Sequence, residues 1–108
     1  MNDKVNATHE MVRRAYAVDW FRNEMSKKLT KRIERGDWTA RSIEGLNGMM
    51  HEEIGELQDE LMNPNRDIEC LTRIIEECVD VANYAMMQAD VARKKIKEMK
   101  DENSRISR

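Results

Sequence analysis

Four carboxylates stand out in this chain of 108 residues because of their spacing. Glu53 and Glu56 are three positions apart, and so are Glu77 and Asp80. A three-residue step places two side chains next to each other on a helix surface. If the two pairs face each other across packed helices, their charges repel, and a hard divalent cation with oxygen ligands relieves that repulsion. Mg²⁺ suits such a site best, because it takes few protein carboxylates and keeps waters or phosphate oxygens as its other ligands.

The spacing alone is a weak indication. With 21 acidic residues in the chain, about four such steps are expected by chance. For Glu56 and Glu60, taken alone, a solvated helix face with neighbouring lysines is the better interpretation. Asp80 differs, because Val79 and Val81 flank it in an otherwise apolar segment. A buried, unpaired carboxylate is strongly destabilising, so Asp80 requires an arginine, a lysine or a metal ion.

Other catalytic chemistry has little support in the sequence. The two histidines, His9 and His51, form no Glu-x-x-His step of the di-iron type and no short-spaced zinc motif with the cysteines. No Ser-His-Asp or Cys-His arrangement is visible. Cys70 and Cys78 lie about 12 Å apart along one predicted helix, too far for a disulfide. We therefore expect reduced thiols.

The elements that must position the carboxylates are long helices. The chain contains only four glycines and one proline, which predicts an all-α fold in a single domain, residues 1–108. The predicted helices span residues 8–35, 42–62 and 66–99. Thr8 is the expected first N-cap, and either Thr39 or Ser42 is the second, while Gly36 and Pro64 are the expected breaks. Residues 1–7 and 101–108 are expected to be flexible.

The third predicted helix is apolar nearly all round over residues 78–92, so it should be covered on both sides. Three helices in one small chain would struggle to cover it, which predicts a homodimer that completes a four-helix bundle. The net charge of −2 favours no nucleic-acid partner. The uncharged run over residues 81–89 is far short of the roughly 20 residues of a membrane span, and the polar N-terminus resembles no secretory signal. We expect a soluble, cytoplasmic protein.

These motifs together resemble the MazG-type, all-α NTP pyrophosphatase superfamily. The acidic pattern is E-E-x-x-E, then twenty residues, then E-x-x-D. The segments Lys28-Leu29 and Arg35-Gly36-Asp37-Trp38 are similar to the K-L-x-x-N-x-x-K-G-x-W segment of short, phage-type members, and residues 80–87 are similar to their D-V-A-N-F-A-M-M helix. The resemblance covers roughly residues 25–95. Arg32 stands where those members often have Asn, and Glu34 where His is common.

The resemblance implies hydrolysis of a (deoxy)nucleoside triphosphate to the monophosphate and pyrophosphate, with Mg²⁺ as cofactor and Mn²⁺ as an alternative. The role it implies is clean-up of the nucleotide pool. Carried over position by position, the metal ligands would be Glu53, Glu56, Glu77 and Asp80. Glu52 and Glu53 would be the candidate catalytic acids, Glu52 in an auxiliary role. The assembly implied is a homodimer or a dimer of dimers.

Substrate contacts are expected from cations and aromatic side chains. The candidate cations for the phosphates are Lys28, Lys31, Arg35, Arg93 and Lys94, although each is more often a solvated helix end. Trp38 could stack on a base or only cover the end of the bundle. Asn83 and Tyr84 could contact base or sugar, and a buried dimer-interface tyrosine is the simpler interpretation of Tyr84. The alternative function is a non-catalytic helical interaction module whose acidic rows pair with a partner's basic clusters.

Overall fold

The computed structural model describes residues 3–106, with side chains from Asn6 onward. Three α-helices make up most of this part of the chain: α1 (Asp3–Lys31), α2 (Ile43–Leu61) and α3 (Ile68–Ile106). Two short 3₁₀ turns, Ile33–Arg35 and Trp38–Ala40, connect α1 to α2. No strand occurs between residues 3 and 106. The predicted all-α fold is confirmed.

Helices α2 and α3 form an antiparallel hairpin that holds the core. Ser42 caps α2 as predicted, because its hydroxyl accepts a hydrogen bond from the Gly45 amide at 3.0 Å. The loop over residues 62–67, which contains Pro64, reverses the chain. At the other end of the hairpin, Leu46 of α2 packs with Tyr84 and Val91 of α3 as the buried centre of the core.

Helix α1 contacts α3 only through its C-terminal part. There the Asn83 side-chain amide donates a hydrogen bond to the Met25 carbonyl at 3.3 Å. Over residues 6–20, in contrast, every side chain is exposed except Glu10, which is half-buried. No other helix of the described chain therefore buries residues 6–20 of α1.

The predicted ends of the helices were wrong in several places. Helix α1 begins at Asp3, so Thr8 is not its N-cap, and it ends at Lys31 rather than at Arg35. The Arg32 amide bonds to the Leu29 carbonyl, three residues back, which tightens the chain into a turn. The expected break at Gly36 is present. The backbone φ of this residue is 87°, a left-handed conformation that favours glycine and in which an α-helix cannot continue.

The termini are more helical than expected. Residues 3–7 belong to α1, and α3 runs on through residues 101–106. Of the segments expected to be flexible, residues 1–2 and 107–108 lie outside the described part of the chain. Thr39 is not the cap of α2. Its amide donates a hydrogen bond to Asp37 Oδ1 at 2.9 Å, and Asp37 thereby caps the second 3₁₀ turn.

The molecule is elongated and its core is small. It extends over 59 × 41 × 23 Å with a radius of gyration of 18.9 Å, against about 13 Å for a compact chain of this length. It exposes 8652 Å², whereas a compact monomer of this mass exposes about 6200 Å². No helix within residues 3–106 has a stretch long and apolar enough to cross a lipid bilayer.

Candidate functional site

Three carboxylates meet at the middle of the α2–α3 hairpin. Glu53 and Glu56 come from one face of α2 and Glu77 from the facing side of α3, and each offers an oxygen that lies within 4.8 Å of the other two. The Oε2 atoms of Glu53 and Glu77 are buried and accept no hydrogen bond. The hairpin thus brings together three of the four predicted metal ligands.

Burial and crowding raise the pKa of two of these groups. Loss of hydration is the largest cause for Glu53, followed by the charge of Asp80 and a hydrogen bond with Glu56, and together they raise the pKa of Glu53 to about 7. Burial is also the main cause that raises the pKa of Glu77. Near neutral pH, without a cation, the cluster is therefore held partly protonated.

These residues fit a hard divalent cation. The donor set consists only of carboxylate oxygens, which Mg²⁺ and Mn²⁺ prefer. Two of the oxygens are buried without a hydrogen-bond partner, and a cation would satisfy both while relieving the repulsion that raises their pKa values.

Asp80, the fourth predicted ligand, lies beside this group without being part of it. It is only 5% exposed, as its apolar neighbours indicated. Its Oδ2 accepts a hydrogen bond from Lys28 Nζ at 3.0 Å, and its Oδ1 lies 3.4 Å from Nη2 of Arg32. Of the cations that Asp80 was expected to require, this structure supplies a lysine and an arginine.

Glu52 does not join the cluster. Its side chain is exposed on α2, although it precedes Glu53 directly. Its role as an auxiliary acid stays a prediction.

A pocket of about 290 Å³ opens next to Asp80, between the end of α1, the connector and the hairpin. Leu46, Met49 and Met87 give it apolar walls, and Arg32, Arg35 and Arg41 contribute positive charge. Of the predicted substrate-binding residues, four line it: Arg35, Trp38, Asn83 and Tyr84.

Asn83 and Trp38 are held firmly in this pocket. Asn83 is 4% exposed; its amide nitrogen donates to Met25, while its Oδ1 is buried and accepts no hydrogen bond. The Trp38 indole Nε1 donates to Asp90 Oδ2 at 2.9 Å, which fixes the ring against the hairpin. The pocket therefore offers an unused acceptor and an anchored aromatic ring.

The remaining predicted cations lie elsewhere. Arg93 is paired with Asp90 at 2.7 Å, and Lys94 Nζ is 3.4 Å from the Thr39 hydroxyl. Lys31 lines a separate groove between α1 and α3. None of these three lines the 290 Å³ pocket, so their proposed contact with phosphates has no geometric support here.

Arg32 is the site residue that the sequence reasoning missed. It was noted only as a departure from the family pattern. Its position four residues after Lys28 puts both side chains on one face of a helical turn, and this spacing could have indicated that they share a partner. Arg41, Met49 and Met87 were also missed, because they come from segments that only the tertiary fold brings together.

No family model, no curated protein and no solved structure matches this chain. The resemblance to the MazG-type superfamily therefore stays a prediction, and the function must be inferred from the geometry of the site.

Proposed function

We propose that this protein is a Mg²⁺-dependent nucleoside triphosphate pyrophosphohydrolase. The observation that carries the proposal is the convergence of Glu53, Glu56 and Glu77, from two helices, within 4.8 Å of one another. A pocket with apolar walls and three arginines lies about one helical turn away, because Met49, which lines it, precedes Glu53 by four residues. A metal-binding cluster next to such a pocket suits a ligand that joins polyphosphate to an organic ring.

The three carboxylates would hold the ion. When bound, a divalent cation would neutralise phosphate charge and make a water molecule more acidic. A neighbouring carboxylate, with Glu52 and Glu53 as the candidates, would orient that water or take up its proton. The site thus needs no histidine base.

The pocket would hold the base of the nucleotide. Trp38 and Tyr84 provide aromatic surface for a planar base. The Oδ1 atom of Asn83 has no hydrogen-bond partner, and a base with an amino group or a ring N–H could donate a hydrogen bond to it. The volume, about 290 Å³, lies at the small end of ligand pockets, so one base rather than a whole nucleotide would occupy it.

Pyrophosphate release from each canonical dNTP and NTP, measured with and without Mg²⁺, tests this function. We expect Mg²⁺-dependent release from at least one of them, and Glu77→Gln should lower it by about 100-fold or more because the cluster loses a charged ligand. Glu76→Gln is the matched control, since Glu76 is its exposed neighbour on α3; it should stay within about twofold of wild type. No release from any nucleotide, or equal loss in both variants, would contradict the proposal.

The active form would be a homodimer or a dimer of dimers. Large apolar side chains are exposed within residues 6–20 of α1. The chain also exposes far more surface than a compact monomer. A second copy could cover this helix and complete the bundle.

The same exposed helix favours one alternative, a non-catalytic helical interaction module. Met11, Val12 and Tyr16 are 70%, 64% and 77% exposed, and such a surface also suits a different helical partner. The two functions differ in their response to metal. Mg²⁺ or Mn²⁺ should raise the melting temperature of the enzyme, because a ligand of the native state stabilises it, whereas the interaction module should show no metal dependence.

A further inference from the structure

Arg32 connects the two halves of the site. Its guanidinium Nη2 lies 3.4 Å from Asp80 Oδ1, and the same side chain lines the pocket. Within the described chain, Arg32 is therefore the one residue that both pairs with Asp80 and lines the pocket.

The two cations on Asp80 are held differently. Lys28 Nζ is 3.0 Å from Asp80 Oδ2 and 3.5 Å from the Glu76 carbonyl oxygen, so α3 holds it at two points. Arg32 makes a longer contact, and Asp80 Oδ1 accepts no hydrogen bond although it is buried. Arg32 thus balances the charge of Asp80 without satisfying that oxygen.

The backbone around Arg32 also leaves this side chain free to move. Arg32 follows the last residue of α1 and precedes the 3₁₀ turn, with φ −109° and ψ 18°, outside the regular helix. Its side chain is 30% exposed. Because Arg32 already lines the pocket, a change of side-chain rotamer would be enough to exchange its contact with Asp80 for a place in the pocket.

We propose that Arg32 acts as an internal cation that competes with a divalent metal ion for Asp80. In the metal-free protein it pairs with Oδ1; when a metal ion takes that oxygen together with the Glu53, Glu56 and Glu77 cluster, Arg32 turns into the pocket. The displaced guanidinium then adds positive charge to the wall of the pocket. This inference rests on the metal site of the proposed function.

Mn²⁺ binding, read from the loss of the free-ion signal in electron paramagnetic resonance, tests the competition without any measurement of turnover. Arg32→Gln should bind Mn²⁺ about fivefold or more tightly than wild type, because the competing ion pair is gone. Arg41→Gln is the control: Arg41 lines the same pocket and carries the same charge, but its Nη1 donates to the Met49 sulfur at 2.9 Å and not to a carboxylate. It should stay within about twofold of wild type.

The outcomes separate the two proposals. Mn²⁺ binding that is equal in wild type and Arg32→Gln, or an equal tightening in Arg41→Gln, overturns the role of Arg32 and leaves the metal site standing. Absence of Mn²⁺ binding in every variant overturns the metal site and the competition with it. Arg32→Met keeps the apolar stem and should show the same tightening, so the test does not depend on the folding of one variant.

Discussion

At the scale of single residues, four carboxylates form the acidic centre: Glu53, Glu56, Glu77 and Asp80. In the proposed metal site its carboxylates must lie close enough to share one cation, and burial together with this closeness raises the pKa of Glu53 to about 7 when no cation is bound. Asp80, in contrast, is paired with Lys28 and Arg32. The centre therefore contains one carboxylate with internal counter-ions and three without.

The raised pKa of Glu53 predicts how stability depends on pH. Between its ordinary pKa of 4.5 and the raised value of about 7, the folded state binds more protons than the unfolded state, so the free energy of unfolding falls as pH rises through this window. Above it the loss is complete. Because Glu53 is partly exposed, solvent screening reduces the loss to about 1 kcal/mol.

Thermal unfolding of the metal-free protein at pH 5.5 and pH 8 measures this effect. Wild type should lose stability between the two pH values, and Glu53→Gln should lose about 1 kcal/mol less. Asp59→Asn, which removes an exposed carboxylate from the same helix, should retain the wild-type loss. If Glu53→Gln and wild type lose the same amount, the strain in the cluster is not centred on Glu53.

The acids of the site could be predicted from the sequence, whereas their counter-ions could not. The three-residue steps of Glu53/Glu56 and Glu77/Asp80 follow directly from helical geometry. The pairing of Asp80 with Lys28 joins residues 52 positions apart, and it depends on where α1 docks. No local pattern carries that information.

At the scale of elements, the α2–α3 hairpin is the part that positions the site. Leu46 is fully buried and packs with Tyr84 and Val91, and this contact joins the two helices on the side of the pocket. Helix α2 was well predicted, because Ser42 caps its start, Pro64 follows its end and its apolar period is regular. The ends of α1 were less well predicted, since Thr8 can serve as a cap or simply continue a helix.

Truncation of Leu46 should therefore weaken the hairpin strongly. We expect Leu46→Ala to lower the free energy of unfolding by about 2–5 kcal/mol, through lost burial and the cavity left behind. Leu61→Ala on the same helix should cost about 1 kcal/mol or less, because Leu61 is 41% exposed. Urea unfolding compares the two variants, and similar losses would show that the core is not centred on Leu46.

At the scale of the whole molecule, the surplus surface is the main feature. Helix α1 projects from the hairpin with its apolar side chains uncovered, and the radius of gyration of 18.9 Å reflects this. The need for a partner was predicted from the sequence, but on α3. In the structure no large apolar side chain within residues 78–92 of α3 is exposed, and uncovered ones lie on α1 and on α3 outside this segment. An α1 stripe of normal helical period gives no sign of what covers it.

Sedimentation velocity over a range of concentrations should show a dimer or a larger species. Val18 is 69% exposed within residues 6–20 of α1, and Val18→Lys should weaken association about tenfold or more, because a charge would be buried at the interface. His9→Lys, at an exposed polar position of the same helix, should leave association unchanged. A wild-type protein that sediments as a monomer would exclude the homodimer.

The antiparallel hairpin also determines which parts of the site form early during folding. All the acids lie within residues 53–80, and a loop over residues 62–67 brings them together. Lys28 and Arg32 must close far longer stretches of chain to reach Asp80, and the entropy lost in closing a loop grows with its length. A hairpin formed without α1 would hold its negative charges with no internal cation against them. If the proposed metal site is present, we expect such a partly folded chain to bind a divalent cation more tightly than the folded protein does.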